Sequence, residues 1–343
     1  MSPSKHHRPT LGLYAGIDIG GTTTQVVLCT EDLHVLEHAE VPTPAAEGGD
    51  AMLRAALTAL RALLARRPAA RPAGVGVGAA GVVDPRRGHI LVASDSFTDW
   101  AGFAVTKTVE AALGVPAFLD NDVNAFLRGE ASGGAVAGEP YALGITLGTG
   151  VGGALWLDGE LFEGPHGAAG EIGHVPGFGD IRCTCGGRGH LETLASGRSI
   201  AARYRERTGH DRTAKEVGAA AGRGDPDALA VFDAAGSALA RGILIVAGVA
   251  DVTTVVVGGG VSGSWHLLEP RILADLAAEP PVSGAPITLV RAALGSSAVA
   301  IGAASRARAE LRAAGTGPTP AAPGAAGAAE GHVPVSATAS LRE

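Results

Sequence analysis

Four residues in the middle of the chain have the types and spacing of a metal site. His174, Cys183, Cys185 and His190 are separated by eight, one and four residues. Two thiolates and two imidazoles are the donor set of tetrahedral structural zinc. The chain has 3 cysteines in all, so a Cys-x-Cys pair is not a background of ordinary thiols. The loop around them carries few apolar residues, and a bound metal gives it a physical reason to be ordered. Nearby, Glu171 precedes His174 by three residues and Glu192 follows His190 by two. Such carboxylates accept hydrogen bonds from vicinal hydroxyls. The plainer alternative is a pair of surface carboxylates beside a zinc loop.

Three glycine turns point to a second chemistry. Gly148-Thr149-Gly150-Val151-Gly152-Gly153 lies between an apolar run, 141–147, and a short strand, 154–157. Asp158-Gly159 after it is a strong hairpin signal. Gly20-Gly21-Thr22-Thr23 joins strands expected at 13–19 and 25–28, and Gly258-Gly259-Gly260 follows a buried-type strand. A turn of this kind aims backbone N–H groups at an anion with no Cβ in the way. No Lys follows the glycines, so none is a Walker P-loop. Asp18 ends the first strand, where a carboxylate can hold a hydrated Mg²⁺ beside phosphates. Three widely spaced strand–turn units imply one nucleotide held between two lobes. Each motif taken singly is equally a Gly-rich hairpin in a Gly-rich protein.

Strands and helices must position these groups. Leu53, Leu57, Leu60 and Leu64 mark a helix over 50–66 with Asp50 as its N-cap. Strands are expected at 75–79, 89–93, 115–119, 253–257 and 287–290. Helices are expected at 103–113, 125–133, 191–207, 228–248, from 266, and at 296–311. Gly78 to Asp84 is a small-residue turn. Asp120-Asn121-Asp122 stands between a strand and a helix, where Asp122 suits an N-cap.

The chain has 343 residues, 46% of them hydrophobic, and a net charge of −7, enough for two lobes with cores. Acidity without basic clusters argues against nucleic acid as a partner. No apolar run reaches the roughly 18–20 residues of a membrane helix, and the first residues lack a signal-peptide core. Few cysteines fit a reducing cytoplasm. Residues 1–10 and the Ala/Gly/Pro-rich stretch 313–343 have no periodic core and read as disordered tails.

The Asp18-Ile19-Gly20-Gly21-Thr22 turn, the Leu147–Gly153 turn, Gly170-Glu171-Ile172-Gly173-His174 and the cysteine loop occur in an order that resembles the ROK family of sugar kinases and repressors. That family belongs to the actin-like ATPases and sugar kinases, and the resemblance covers about residues 11–312. It implies an α/β, two-lobed, ribonuclease H-like fold of mixed sheets with helices on both faces. Residues 11–119 would form a small lobe, completed by a return helix, 296–312. Residues 120–295 would form a large lobe carrying the zinc loop 174–190.

The resemblance also implies site roles. ATP phosphates would lie between Asp18, Gly20, Gly21, Thr22, Thr23 and the turn with Gly148, Thr149, Gly150 and Gly152. Adenosine would lie near Gly258, Gly259 and Gly260. Gly81 and Asn121 would line the sugar pocket. Asp122 would be the general base, with a pKa lowered by its helix N-terminus. Glu171, His174 and Glu192 would reach sugar hydroxyls, with His174 also holding zinc. Relatives carry Asn-Leu-x-x-Trp before the second helix. Here Trp100 fits, Ser96 stands in place of the Asn, and Asp95 either pairs with an amino sugar or faces water.

The expected activity is ATP-dependent phosphorylation of a hexose 6-hydroxyl, glucose first, in a cytoplasmic homodimer or homotetramer. An N-acetyl or amino hexosamine, mannose or fructose as acceptor, and polyphosphate as donor, stay open. The rival of another class is a sugar-responsive repressor. Only about a dozen residues precede the strand that leads into the first Gly turn, which is expected to be too few for a helix-turn-helix domain.

Overall fold

The computed structural model describes residues 12–68, 71–94 and 96–315. Both expected tails, apart from residues 313–315, lie outside the described residues, and so does Asp95.

The first half of the chain gives β1 (Leu13–Ile19), β2 (Thr23–Cys29), β3 (Val35–Pro42), α1 (Gly49–Ala65), β4 (Pro72–Ala79), β5 (Val82–Asp84), β6 (His89–Val92), α2 (Val105–Leu113), β7 (Ala117–Asn121) and α3 (Asp122–Gly133). The second half gives β8 (Ala142–Leu147), β9 (Val151–Leu157), β10 (Glu160–Phe162), α4 (Glu192–Ala195), α5 (Gly197–Thr208), α6 (Ala214–Ala221), α7 (Pro226–Ala250), β11 (Thr254–Gly258), α8 (Trp265–Ala278), β12 (Thr288–Arg291) and α9 (Ala298–Ala313).

One topology occurs twice. The first sheet has the order β3-β2-β1-β4-β7, the second β10-β9-β8-β11-β12. In each, the first three strands of the unit form an antiparallel meander, and two further strands add in parallel beside the first. A parallel addition needs a crossover and so brings helices onto the faces. β5 and β6 form a separate hairpin. Each sheet has its own core: Ile17, Ile19, Leu53, Leu60 and Trp100 belong to the first, Leu143, Ile145, Phe232 and Leu268 to the second. Each fully buried Leu, Ile or Phe contributes about 1.5–3 kcal/mol.

The return helix α9 lies on the first sheet. Ala300, Ala304 and Leu311 pack against Tyr14, Val27 and Cys29. The approach is backbone to backbone: a Cβ on Gly76 would stand 1.7 Å from the Ala303 carbonyl oxygen. The same device joins α9 to α3, where a Cβ on Gly302 would stand 1.7 Å from the Ala125 carbonyl oxygen. Only glycine permits contacts this close. Glu130 of α3 is wholly buried and accepts from the backbone N–H groups of Ala135, Ala293 and Leu294 at 2.7, 3.0 and 2.9 Å. Three donors satisfy a charge that burial would otherwise make costly, and they pin the chain entering α9.

Several elements differ from the sequence expectation. Gly48, not Asp50, is the N-cap of α1, and Asp50 sits in the first turn, where its charge suits the helix dipole. The helix expected over 191–207 breaks at Ser196, whose hydroxyl accepts from Ser199 N–H at 3.1 Å and starts α5. α6 was not expected; its Thr213–Glu216 capping box is a start signal that periodicity alone passes over. α7 is, by length and composition, apolar enough to cross a membrane, although Asp233 and Arg241 interrupt it and no uncharged run in it reaches 18 residues. Half of its most apolar window is buried inside the protein, and Val231, Phe232, Leu239 and Ile243 belong to the second core.

Candidate active site

β7 and α3 meet at Asn121-Asp122. Asn121 is the N-cap of α3: its Oδ1 accepts from the N–H groups of Val123 and Asn124 at 2.8 and 3.1 Å. Its Nδ2 donates to the Gly81 carbonyl and to Asp122 Oδ1, both at 2.9 Å. The sequence made Asp122 the candidate cap; the structure gives that work to Asn121 and leaves Asp122 as the first helical residue. The turn bearing Gly81 is held from the other side as well. Trp100, fully buried between Phe97 and Phe103, donates its indole N–H to the Ala80 carbonyl at 3.3 Å. Ser96 lies exposed beside this aromatic stack.

The Asp122 pKa runs opposite to the sequence expectation. Burial pushes it up to about 6, against the lowering pull of the backbone N–H groups around it, with Glu171 adding a further upward push. Desolvation therefore outweighs the helix terminus. Asp18 is pushed to about 8, first by burial and then by the negative charge of Asp122. Among the described residues no cation pairs with either carboxylate. Glu171 is also raised, by burial first, with His174 lowering it and Glu192 raising it. These acidic groups share one field. A hard divalent cation held by oxygen ligands is the partner this set lacks, so Asp18 fits the Mg²⁺ role.

Asp120 is the other carboxylate of the segment, and it is 1% exposed. Arg128 Nε donates to its Oδ2 and Arg306 Nη1 faces its Oδ1, each at 3.2 Å. Both of its oxygens are taken up by guanidinium groups, which separates it from Asp122.

The three glycine turns differ in what they offer. Gly20 to Thr22 closes the β1–β2 hairpin, with Gly20 N–H bonded to the Thr23 carbonyl at 3.2 Å and the Thr22 carbonyl accepting from Thr43 N–H at 2.9 Å. Thr23 already belongs to β2. Gly148, Thr149 and Gly150 connect β8 to β9, and Gly148 N–H is used within the turn, bonded to the Gly150 carbonyl at 3.0 Å. Gly152 lies inside β9 opposite Thr146, where a Cβ would press on Val123 at 2.3 Å. It is a packing glycine and not part of the turn. Gly258 ends β11 and is buried against the Phe126 ring. Gly259, at φ 90°, lets the chain turn beside Leu147.

Gly148, Thr149 and Gly260 line one cavity of about 1000 Å³, so the second and third turns come together. The first turn does not line it. Its other walls come from α5, α6 and the start of α8, including Arg198, Thr213, Lys215 and His266. Sequence reasoning named none of these. The capping box that starts α6 was the one local signal toward them.

His174, Cys183, Cys185 and His190 do converge. Their ligand atoms lie within 4.8 Å of one another. Cys183 Sγ is 3.8 Å from His174 Nδ1, and Cys185 Sγ is 3.2 Å from His190 Nδ1. With metal–ligand bonds of about 2.0–2.3 Å, tetrahedral zinc brings ligand atoms to such separations, so the donor set and its spacing fit zinc. Glu192, the first residue of α4, spans this loop and the glycine turn: Oε1 accepts from the Thr184 hydroxyl at 3.0 Å and Oε2 from Val151 N–H at 3.1 Å.

Residues 14–310 match the ROK family. The chain belongs to the ROK family. A ROK-family glucokinase from Streptomyces griseus, solved in complex with glucose and AMPPNP, superposes with a TM-score of 0.74 at 30% identity, over 87% of this chain and 100% of that one. A glucokinase of Halalkalibacterium halodurans is 34% identical over 75% of this chain and 83% of its own length. An N-acetylmannosamine kinase of Escherichia coli O139:H28 is also 34% identical, over 76% of this chain and 89% of its own. The fold is that of the actin-like ATPases, as the ROK resemblance implied.

Proposed function

We propose that this ROK protein is an ATP-dependent sugar kinase that phosphorylates the 6-hydroxyl of a hexose, with glucose as the first candidate. The observation that carries this reading is the contrast between Asp122 and Asp120. Asp122 is buried at the β7–α3 junction, has no cationic partner among the described residues, and is poised near pH 6. Asp120, two residues earlier, is held between two arginines. A general base works best with a pKa near the operating pH and a free lone pair. Glucokinases among the relatives, and the glucose and AMPPNP in the Streptomyces griseus structure, support sugar and ATP as substrates.

In this reading Asp122 accepts the 6-hydroxyl proton as that oxygen bonds to the γ-phosphorus, while the bond from that phosphorus to the β,γ-bridging oxygen breaks and ADP leaves. Asn121 does not reach out to the sugar as a free side chain. It fixes the Gly81 turn against α3 and keeps Asp122 Oδ1 oriented. Glu171 and His174 receive the ring hydroxyls, and Glu192 ties that side of the cleft to the Gly148–Gly150 turn. The cavity behind Thr149 and Gly260 takes the nucleoside. Asp18 would hold Mg²⁺, which supplies charge neutralisation at the phosphates. His174, Cys183, Cys185 and His190 would hold zinc, which orders the loop. Most of the rate then comes from positioning and electrostatics.

The two relatives at equal identity, one a glucokinase and one an N-acetylmannosamine kinase, leave identity silent on the sugar. The deciding experiment is coupled ADP release with glucose, mannose, fructose, their N-acetyl and amino counterparts, and ATP or polyphosphate as donor, beside a DNA-binding assay. Glucose-dependent ADP release supports the reading. Specific DNA binding without sugar-dependent turnover overturns it in favour of a repressor-like sensor.

A further inference from the structure

Asp120 does more than avoid the cleft. Arg306 of α9, whose Nη1 faces Asp120 Oδ1 at 3.2 Å, donates from the same nitrogen to Glu163 Oε1 at 2.7 Å. Arg128 of α3 donates to Asp120 Oδ2 at 3.2 Å, and its Nη2 lies 3.9 Å from Glu163 Oε1. Glu310 takes a second nitrogen of Arg306 at 3.4 Å. One guanidinium therefore joins the end of β7, which leads into Asp122, to the residue that leaves β10. That residue begins the segment running to Glu171 and His174, and its carbonyl accepts from Ala169 N–H at 3.2 Å within that segment.

Stability is a weak reason for such a cluster, because a buried ion pair is often matched by apolar residues of similar volume. Its directional bonds fix relative placement. Nη1 of Arg306 carries two N–H groups fixed in the guanidinium plane, so it meets Asp120 and Glu163 at set angles, whereas a lysine ammonium is a rotating point charge. Arg306 also sits on the helix that packs on α3 through Gly302, where the two helices cross in backbone contact.

We propose that Arg306 is a positioning residue: through Asp120 and Glu163 it holds the β7–α3 junction bearing Asp122 in fixed register with the segment bearing Glu171. The proposal rests on the reading of Asp122 as general base. None of its described residues lines the nucleotide cavity or belongs to the His/Cys set, so it acts on the placement of Asp122 relative to the sugar-facing segment and not on ATP binding.

The test compares Arg306→Lys, Glu163→Gln and their double variant with the parent, all as full chains. Arg306→Lys keeps the charge and loses the planar guanidinium. Glu163→Gln cuts the far side of the link at a residue that is partly exposed. The expected result is a kcat lowered about 10-fold in Arg306→Lys, since small misplacements in the attack geometry are costly. KM for ATP should stay within about two-fold, and kcat should fall by a larger factor than the calorimetric sugar Kd rises, a split that loss of binding alone would not give. The double variant should lose little beyond Arg306→Lys, because both break one link. A folded Arg306→Lys with near-parental kcat overturns the proposal, as do losses that multiply in the double variant. If Arg306→Lys does not fold, Glu163→Gln decides alone, and an unchanged kcat there overturns it. Asp122→Asn is assayed in parallel. Turnover kept in Asp122→Asn overturns the base assignment, whereas turnover lost there but kept in Arg306→Lys overturns only the positioning role.

Discussion

Glu192 Oε2 accepts a hydrogen bond from the backbone N–H of Val151 at 3.1 Å, and this bond couples the metal loop to the glycine turn. The other oxygen takes the Thr184 hydroxyl, between the two cysteines, at 3.0 Å. The loop bearing the His/Cys set and the glycine turn thus meet at one carboxylate. A Cβ at Gly150 would stand 2.4 Å from the same oxygen, so the turn is shaped around it.

Zinc removal follows from that coupling. The purified protein should hold about one zinc per chain, as a closed four-ligand site requires. Cys183→Ser should release it, lower the thermal midpoint and weaken sugar binding, since Thr184 and His174 lose their fixed places. Metal analysis by mass spectrometry with calorimetry checks this. Full sugar affinity in a demonstrably zinc-free variant would rule the coupling out.

Asp122→Asn should separate chemistry from folding. Asn121 supplies the helix cap, so the substitution leaves the cap intact. The thermal midpoint should hold, or rise at neutral pH where the buried charge is removed, while kcat falls by roughly 10²–10⁴, the usual worth of a general base. Asp120→Asn should do the reverse in emphasis. It leaves Arg128 and Arg306 short of a buried counter-charge, which costs about 3–5 kcal/mol when such a pair is broken. A larger kcat loss in Asp120→Asn than in Asp122→Asn would exchange the two assignments.

The raised carboxylates predict a pH dependence of known sign. Asp122 moves from 3.8 to about 6 and Asp18 from 3.8 to about 8 on folding. Between about pH 4 and 8 the folded state therefore binds more protons than the unfolded one. Stability of the ligand-free protein should fall as pH rises through this window. Thermal midpoints measured from pH 4 to 8 should show the decline, and Asp18→Asn should flatten it. An Asp18→Asn profile identical to the parent would contradict the shift. In the same window kcat/KM should rise with pH as Asp122 ionises.

The crossing of α3 and α9 should tolerate no side chain. Gly302→Ala places a methyl 1.7 Å from the Ala125 carbonyl oxygen, which is backbone and cannot swing away. The helices must separate, at a cost of about 1–3 kcal/mol or more. Urea denaturation measures it; a loss under 0.5 kcal/mol would show that the crossing has slack.

Local sequence was enough for the features that are local in origin. Asp158-Gly159 reads as a hairpin and folds as one, both residues at positive φ, because that dipeptide alone meets the turn's steric demand. The His/Cys set converges because its spacing closes a short loop. The order of the glycine turns carried the ROK resemblance, and with it the fold. What the tertiary structure decided depends on residues far apart in the chain. Asp122 rises to about 6 instead of falling because distant elements exclude water from it, a term no helix-end rule contains. Asp120 is distinguished from Asp122 by Arg306, a residue that only α9 brings to the β7 end. Glu130 reads as an ordinary helical Glu until the chain entering α9 supplies its donors. Gly152 reads as a turn residue until Val123 is seen to fill its missing Cβ. Desolvation and close packing are sums over the folded surroundings, so the chain's own order cannot display them.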